Sequence, residues 1–357
     1  SGNRLNVIIQ HYKFNTFIAM FLIISEIYLF LFRTHVKLGN RHKLSVGTEY
    51  IVDVLKSQTD NIAKEDAYTL ALFAQDEIKL LRNLQALIGV RYIYHENFKN
   101  HATPNVALMY KPGKFNFRAS YAAGFRTPTL SELYATDIAK KNDRLTIGNL
   151  DLKPEKNNYF SLSAEYVHER FSVSVNAFYN NIRDMIDYNT IATGDKAMEQ
   201  YGHKEVRQRD NIAEAKVHGI NVSANAYLGA GFNLSGGYTH LNTQDVELEQ
   251  PIDKSIKNAY NINAQWAHSW KIYRLNINLN GRINSKRFSK SYGYAPEYQL
   301  WDLNTRHSFN LKSVIIEPGF GMENLFDYMD DRPYNSNYAT LTPGRSFYIS
   351  LSLKFKS

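Results

Sequence analysis

The chain has 357 residues with 25 Tyr, 20 Phe, 9 Pro and no Cys, and a formal net charge of +8. The lack of Cys excludes disulfides and thiolate metal sites, and scattered Lys and Arg, without a block interleaved with stacking aromatics, argue against a nucleic-acid partner. The Tyr excess suits a boundary between hydrocarbon and water, where the ring is apolar and the hydroxyl stays wet.

Residues 1–41 form an atypical amino-terminal segment. Its apolar run, residues 17–32, is interrupted by Glu26 and is slightly short for a membrane helix, which needs roughly 20 residues. It reads as an irregular or displaced strand, with a helix or an inner-membrane anchor as alternatives. From residue 42 onward alternation dominates. Leu84, Ala86, Ile88, Val90, Tyr92 and Tyr94 oppose Gln85, Gly89, Arg91 and His95, with Leu87 and Ile93 as exceptions. Tyr260, Ile262, Ala264 and Trp266 oppose Asn261, Asn263 and Gln265, and Tyr273, Leu275, Ile277 and Leu279 oppose Arg274, Asn276, Asn278 and Asn280. At the end, Phe347, Ile349, Leu351, Leu353 and Phe355 alternate with Tyr348, Ser350, Ser352 and Lys354. A period of two residues fits strands with one apolar and one polar face, and helical spacing fits none of these segments.

Sandwiches alternate as well, so the choice between lipid and a protein core rests on lengths. The predicted strands run roughly 10 to 14 residues, the span of a tilted membrane strand rather than the 5 or 6 usual in soluble sheets. Short connections at 37–41, 81–83, 111–114, 168–170, 229–231, 269–271 and 311–313 alternate with long ones at 57–65, 125–155, 182–211, 242–257, 288–297 and 327–343. One short exception falls at 96–100. The expected fold is an all-β, antiparallel transmembrane barrel of about 14 to 15 strands, with 42–357 as its barrel region. No nucleophile elbow, zinc motif or phosphate loop occurs, so no catalytic residue is expected and the reading is not an enzyme.

Four motifs then appear in order: FAQDE (73–77) followed by GVRY (89–92), RASYAAGFRTPTLSELY (118–134), GNLDLKPE (148–155), and NLFDY (324–328) with PGRSF (343–347). Together they resemble the TonB-dependent receptors, outer-membrane importers of iron chelates, haem and cobalamin. The resemblance implies a 22-strand-type barrel in the bacterial outer membrane, with lipid and lipopolysaccharide around it. It also implies a small-molecule ligand such as an iron-siderophore, haem or cobalamin, no covalent cofactor, and TonB reached only through a plug domain. That plug and about seven strands are expected to be missing, so a truncated receptor, a passive diffusion pore and a non-functional fragment all stay open. Family-motif structural positions are Phe125, Pro128, Leu150, Pro154, Asn324, Phe326, Gly344 and Arg345.

Candidate ligand contacts in the long loops are Arg126, Tyr134, Asn149 and His203. Arg126 could pair with an anionic ligand through its fork, although such an Arg more commonly braces a strand end. Residues 129–147 hold no His, which lowers haem relative to the other ligands unless His203, His95 or His101 substitutes. Asp327, Asp330 and Asp331 read as a hydrated loop rather than a cation site, because no regular ligand spacing accompanies them. The triplets at Asn221 and Asn233 read as chance matches to glycosylation acceptors on strands.

Overall fold

A computed structural model describes residues 4–18, 21–57, 62–139, 143–289, 293–330 and 342–356. Its first long strands are β1 (Arg4–Ile18), β2 (Phe21–Leu38), β3 (His42–Ser57), β4 (Ile62–Leu81), β5 (Leu84–His95), β6 (Lys99–Tyr110) and β7 (Phe115–Arg126). A helix α1 (Leu130–Tyr134) and two short strands, β8 (Thr136–Ala139) and β9 (Arg144–Ile147), precede β10 (Glu155–Val167). Then come β11 (Phe171–Thr193), α2 (Gly194–Tyr201), β12 (Glu205–Gly229), β13 (Phe232–Asp245), β14 (Asn258–Trp270) and β15 (Tyr273–Asn284). The small hairpin β16 (Arg287–Ser289) and β17 (Gly293–Ala295) leads to β18 (Tyr298–Asn310), β19 (Val314–Glu323) and β20 (Ser346–Phe355).

Each long strand pairs antiparallel with its neighbour in sequence, and β7 pairs with β10 and β15 with β18 across the inserted elements. Sixteen long strands result among the described residues, because residues 4–38 supply two beyond those expected from residue 42 onward. Residues 17–32 fall in β1 and β2 apart from 19–20, which lie outside the described residues, so the helical alternative is not realised. No pairing joins β1 to β20 among the described residues, and the sheet is open.

Pairing fixes which face each residue occupies, since a slip of one residue would exchange the two faces. Ile88 pairs with Val106, which pairs with Tyr121, while Leu162 pairs with Ala119 and Ala177. On this face Leu162 is 66% exposed and Ile349 77% exposed, the accessibility expected of side chains whose solvent is lipid. The opposite face is polar and bonded to itself. The Ser120 and Ser161 hydroxyls lie 2.7 Å apart, as do those of Ser174 and Ser223. Asn263 Nδ2 donates to Asn278 and Asn280 at 2.7 and 2.6 Å. Asn221 belongs to this polar face, where its amide oxygen accepts from Thr239 at 2.9 Å.

Aromatic rings mark the two ends of the apolar face. Tyr50, Tyr68 and Tyr94 follow one another at 6.0 Å between centroids near the loop end. Near the turn end, Phe115 lies 4.8 Å from Tyr166, and Trp270 5.6 Å from Tyr273, itself 5.1 Å from Phe309. Two aromatic bands flanking an apolar zone are the arrangement of an interfacial girdle. The seven expected short connections are all tight turns between paired strands. Gly39 and Gly113 take φ of +62° and +63° there, a left-handed conformation that glycine enters without a Cβ clash.

The long connections depart from a simple picture of loops. Of the expected loop 182–211, β11 runs on to Thr193 and β12 starts at Glu205, so most of it is a two-stranded ribbon tipped by α2. Connections 58–61 and 331–341 lie outside the described residues.

Candidate functional site

At the loop end, the connection 125–155 and the β11–β12 ribbon fold together into a cap. Its helix starts at Thr129 because a capping box is built into the sequence: the Thr129 hydroxyl accepts from the Glu132 backbone N–H at 3.2 Å, and Glu132 Oε2 accepts from the Thr129 N–H at 2.8 Å. Reciprocal bonds of this kind satisfy two donors that a helix start otherwise leaves unpaired. Leu130 then packs with Leu55, Ile62 and Ala67, while Leu133 packs with Leu152 and Ile186. A third cluster of Ala192, Ala197 and Val206 seals the ribbon tip. Among the described residues, most of the buried apolar side chains therefore lie in the cap clusters. Strand β9 extends it by pairing parallel with β12, from Arg144 opposite Glu205 to Ile147 opposite Gln208.

Arg126, the last residue of β7, meets two carboxylates. It donates from Nε and Nη2 to Glu155 at 2.7 and 2.6 Å, and from Nη1 to Glu132 at 2.9 Å. Its fork is thus engaged in fixing α1 to the start of β10. Burial pushes the Glu132 carboxyl up, but the Arg126 bond and the Thr129 N–H outweigh it and hold the group below its ordinary value. Tyr134 closes α1 and packs against both neighbouring apolar clusters. Burial raises its phenol, with Glu65 and Glu96 acting in the same sense. Asn149 Nδ2 donates 2.9 Å to the backbone oxygen of Arg209, and its Oδ1 accepts from Asp151 N–H at 2.9 Å. One amide therefore ties the loop return to β12.

His203 stands apart, beyond α2, with Nδ1 2.9 Å from Asp143 Oδ1. That bond, with its charge, holds the Asp143 carboxyl below its usual range. Arg126, Tyr134 and Asn149 thus share one cap, whereas His203 belongs to its far side, and the four do not converge on one point. His95 is buried and accepts from Asn97 N–H at 3.1 Å; the His101 ring stacks on Phe125 at 3.8 Å.

The family-motif positions behave as supports. Pro128 is buried, Pro154 half-buried, and Leu150 exposed. Asn324 is buried with φ of +52°, donates to the Tyr328 and Pro343 oxygens at 2.7 and 3.0 Å, and accepts from Tyr328 N–H at 2.8 Å. It latches the loop before β20, where the Arg345 N–H bonds Asp327 Oδ1 at 2.7 Å and Gly344 leaves room beside Met329. Phe326 is exposed, edge-on to Trp301. Asp331 lies outside the described residues, and among the described residues no three His, Asp or Glu gather to hold a metal ion.

One cap feature is absent from the sequence reading. Arg209 lies 3.7 Å over the Tyr188 ring, with Nη2 donating to the hydroxyl at 2.6 Å; on the ribbon Tyr188 is exposed and Arg209 half-buried. The two are directly opposite in the β11–β12 register, a pairing that becomes readable only after the long strands are aligned. An exposed ring with a half-buried guanidinium against it offers a face for planar or anionic ligands.

A family model described as "TonB dependent receptor-like, beta-barrel" matches residues 9–325. The siderophore receptor PirA from Pseudomonas aeruginosa superposes with a TM-score of 0.78 at 18% identity, covering 99% of this chain and 61% of PirA. A mutant of the ferric enterobactin receptor PfeA, also from Pseudomonas aeruginosa, gives 0.77 at 19% identity, covering 94% of this chain and 54% of PfeA. The copper transporter OprC gives 0.72 at 11%, covering 93% of this chain and 57% of OprC. The chain therefore spans less than two thirds of the length of these proteins.

Proposed function

The chain belongs to the TonB-dependent receptor β-barrel family, and from that premise we propose that it forms the wall and outer cap of a bacterial outer-membrane receptor for a small chelate. The class of ligand is an iron-siderophore, haem or cobalamin, captured at the cap and passed inward by a plug coupled to TonB. The supporting observation is the asymmetry of the two ends: seven tight turns on one side, and on the other a cap with its own buried clusters. A folded, preorganised cap is what ligand capture needs, because ordering slack loops on binding would cost affinity. Among the cap residues, exposed Tyr188, with half-buried Arg209 over its ring, is the contact, while Arg126 and Asn149 hold the frame; Tyr134 and His203 border it.

Refolded chain in detergent, titrated with ferric enterobactin, haem and cobalamin and followed by Trp fluorescence and absorbance, tests this. Saturable binding of one of the three, weakened by Arg209→Ala, is the expected result; no binding by any of them defeats the reading. The rival is a passive pore: the described residues give sixteen long strands, an even number as in porins, although β1 and β20 do not pair to close them. A large steady conductance in planar bilayers would establish that rival instead.

A further inference from the structure

We infer that the lipid face at the turn end of β14, β15 and β18 holds an anionic phospholipid by its headgroup, at a site separate from the cap. The inference rests on the membrane reading of the apolar face. Two imidazoles stand on that face. His268 and His307 both pair with Leu275, one from each side, so the three form a single row across the strands. The row belongs to the lipid face because the residues two steps nearer the turns pair in sequence, Trp270 with Tyr273, Tyr273 with Phe309, Phe309 with Ile316 and Ile316 with Leu353 on β20. A polar ring facing hydrocarbon is costly unless something replaces the hydrogen bonds of water. His307 has a partner, since the Tyr273 hydroxyl lies 2.8 Å from its Nδ1. His268 is exposed, stacks parallel to Trp266 at 6.0 Å and lies 4.4 Å from Trp270, and bonds to no polar group among the described residues. Two cross-strand steps set the imidazoles about 10 Å apart, a span that brackets a glycerophosphate headgroup.

The rim beyond the row is cationic. Lys271 with Ile272, and Lys312 with Leu311, are exposed in two turns joined by the Asn310 N–H bonding the Ile272 oxygen at 2.7 Å. Residues 254–296 contain no Asp or Glu. In the strands that follow, Asp302 lies toward the loop end and accepts from the Asn324 N–H at 3.0 Å. Glu317, opposite Ser352 on the polar face, is taken by Lys354 at 2.7 Å. No carboxylate therefore lies within ion-pair distance of Lys271 or Lys312 among the described residues.

The order of groups with depth matches one occupant. Lysines at the rim suit a phosphate, imidazole and indole N–H groups one step inward suit glycerol and ester oxygens, and Leu275 and Ile277 further in suit acyl chains. A free anion would meet the lysines and leave exposed Trp270, Ile272 and Leu311 uncovered, so a lipid is the fitting source. The site faces away from the interior, where neither a plug nor any other inner element reaches it.

The test places the full chain carrying Trp301→Phe in phosphatidylcholine liposomes, leaving Trp266 and Trp270 of its three Trp as emitters. Quenching by brominated phosphatidylglycerol is compared with quenching by brominated phosphatidylcholine. The phosphatidylglycerol probe is expected to associate about fivefold more tightly, a preference falling below about twofold in Lys271→Gln/Lys312→Gln. With the rim charge intact, His268→Phe/His307→Phe should lose about half of it, which a diffuse attraction between surface charges would not. Should that variant fail to insert, His268→Phe alone, at the exposed ring, carries the same test. Lys111→Gln/Lys114→Gln, an equal charge loss at the β6–β7 turn, should keep the full preference. Equal quenching by the two lipids overturns the proposal. So does an equal loss in the control, which would mean diffuse charge, or abolition of the preference by inorganic phosphate, which would assign the lysines to a soluble anion. Quenching by neither lipid would remove the lipid face itself and the proposal with it, whereas chelate titration reports on the cap separately.

Discussion

The cap and the wall use the same apolar side chains in opposite ways. In the cap Leu133 is 5% exposed and Val206 0%, whereas on β20 Ile349 and Phe355 are 77% and 81% exposed. The cap follows the rule for water, where apolar atoms leave the solvent by packing on one another. The wall follows the rule for lipid, where the solvent is itself apolar and backbone pairing between strands becomes the requirement. One chain therefore contains two solubility regimes, and the boundary between them falls at the aromatic band.

The sharpest way to break this comparison is Leu133→Ala. Removing a side chain packed on Leu152 and Ile186 should cost the cap about 2–5 kcal/mol, seen as rapid protease cleavage within 125–155 while the wall keeps its heat-modifiable migration in gels. Next comes Leu351→Arg on the lipid face of β20, expected to cost about 2–4 kcal/mol in urea unfolding from liposomes, against nearly nothing for Ser350→Arg one residue away on the polar face. Equal effects at 350 and 351 would abolish the assignment of faces. A smaller loss, about 1–2 kcal/mol after allowing for the exposure of Arg126, should follow Arg126→Gln, which leaves Glu132 and Glu155 short of their charged donor; cap proteolysis again reads it.

The smallest effect concerns pH. Glu132 and Asp143 are both held below their ordinary values. Their contribution is therefore present at neutral pH and is lost as pH falls below about 4, where the folded cap must take up protons it resists. Cap cleavage by an acid-active protease should accelerate in that window and the wall should not respond; Asp143→Asn should remove part of the acid dependence.

The wall was the more legible of the two regions. Strands such as Tyr273–Asn284 announce both faces in their own alternation, and every short turn could be placed by its polar or glycine-bearing residues. The amino-terminal strands were harder, because an uninterrupted apolar run such as FLII lacks the period that separates strand from helix. In the cap, the Thr129–Glu132 capping box is a local sequence signal for the start of α1. Asn149 was legible as a loop residue, but its bond to the Arg209 oxygen spans sixty positions and depends on register. The same holds for His268 and His307, scattered as sequence and brought into one row only in the sheet.

The length of the β11–β12 ribbon has a consequence for how solutes arrive. A strand of 23 residues at about 3.3 Å per residue and a tilt near 40° rises almost 60 Å, so roughly 30 Å projects beyond an apolar belt about 25 Å tall. In the receptor proposed above, a solute diffusing toward the cell would meet this stiff mast before it meets the bilayer. Encounter geometry would then be set by backbone hydrogen bonding far from the surface, and replacement of side chains at the mast's tip would retune what is intercepted while leaving the part embedded in lipid untouched.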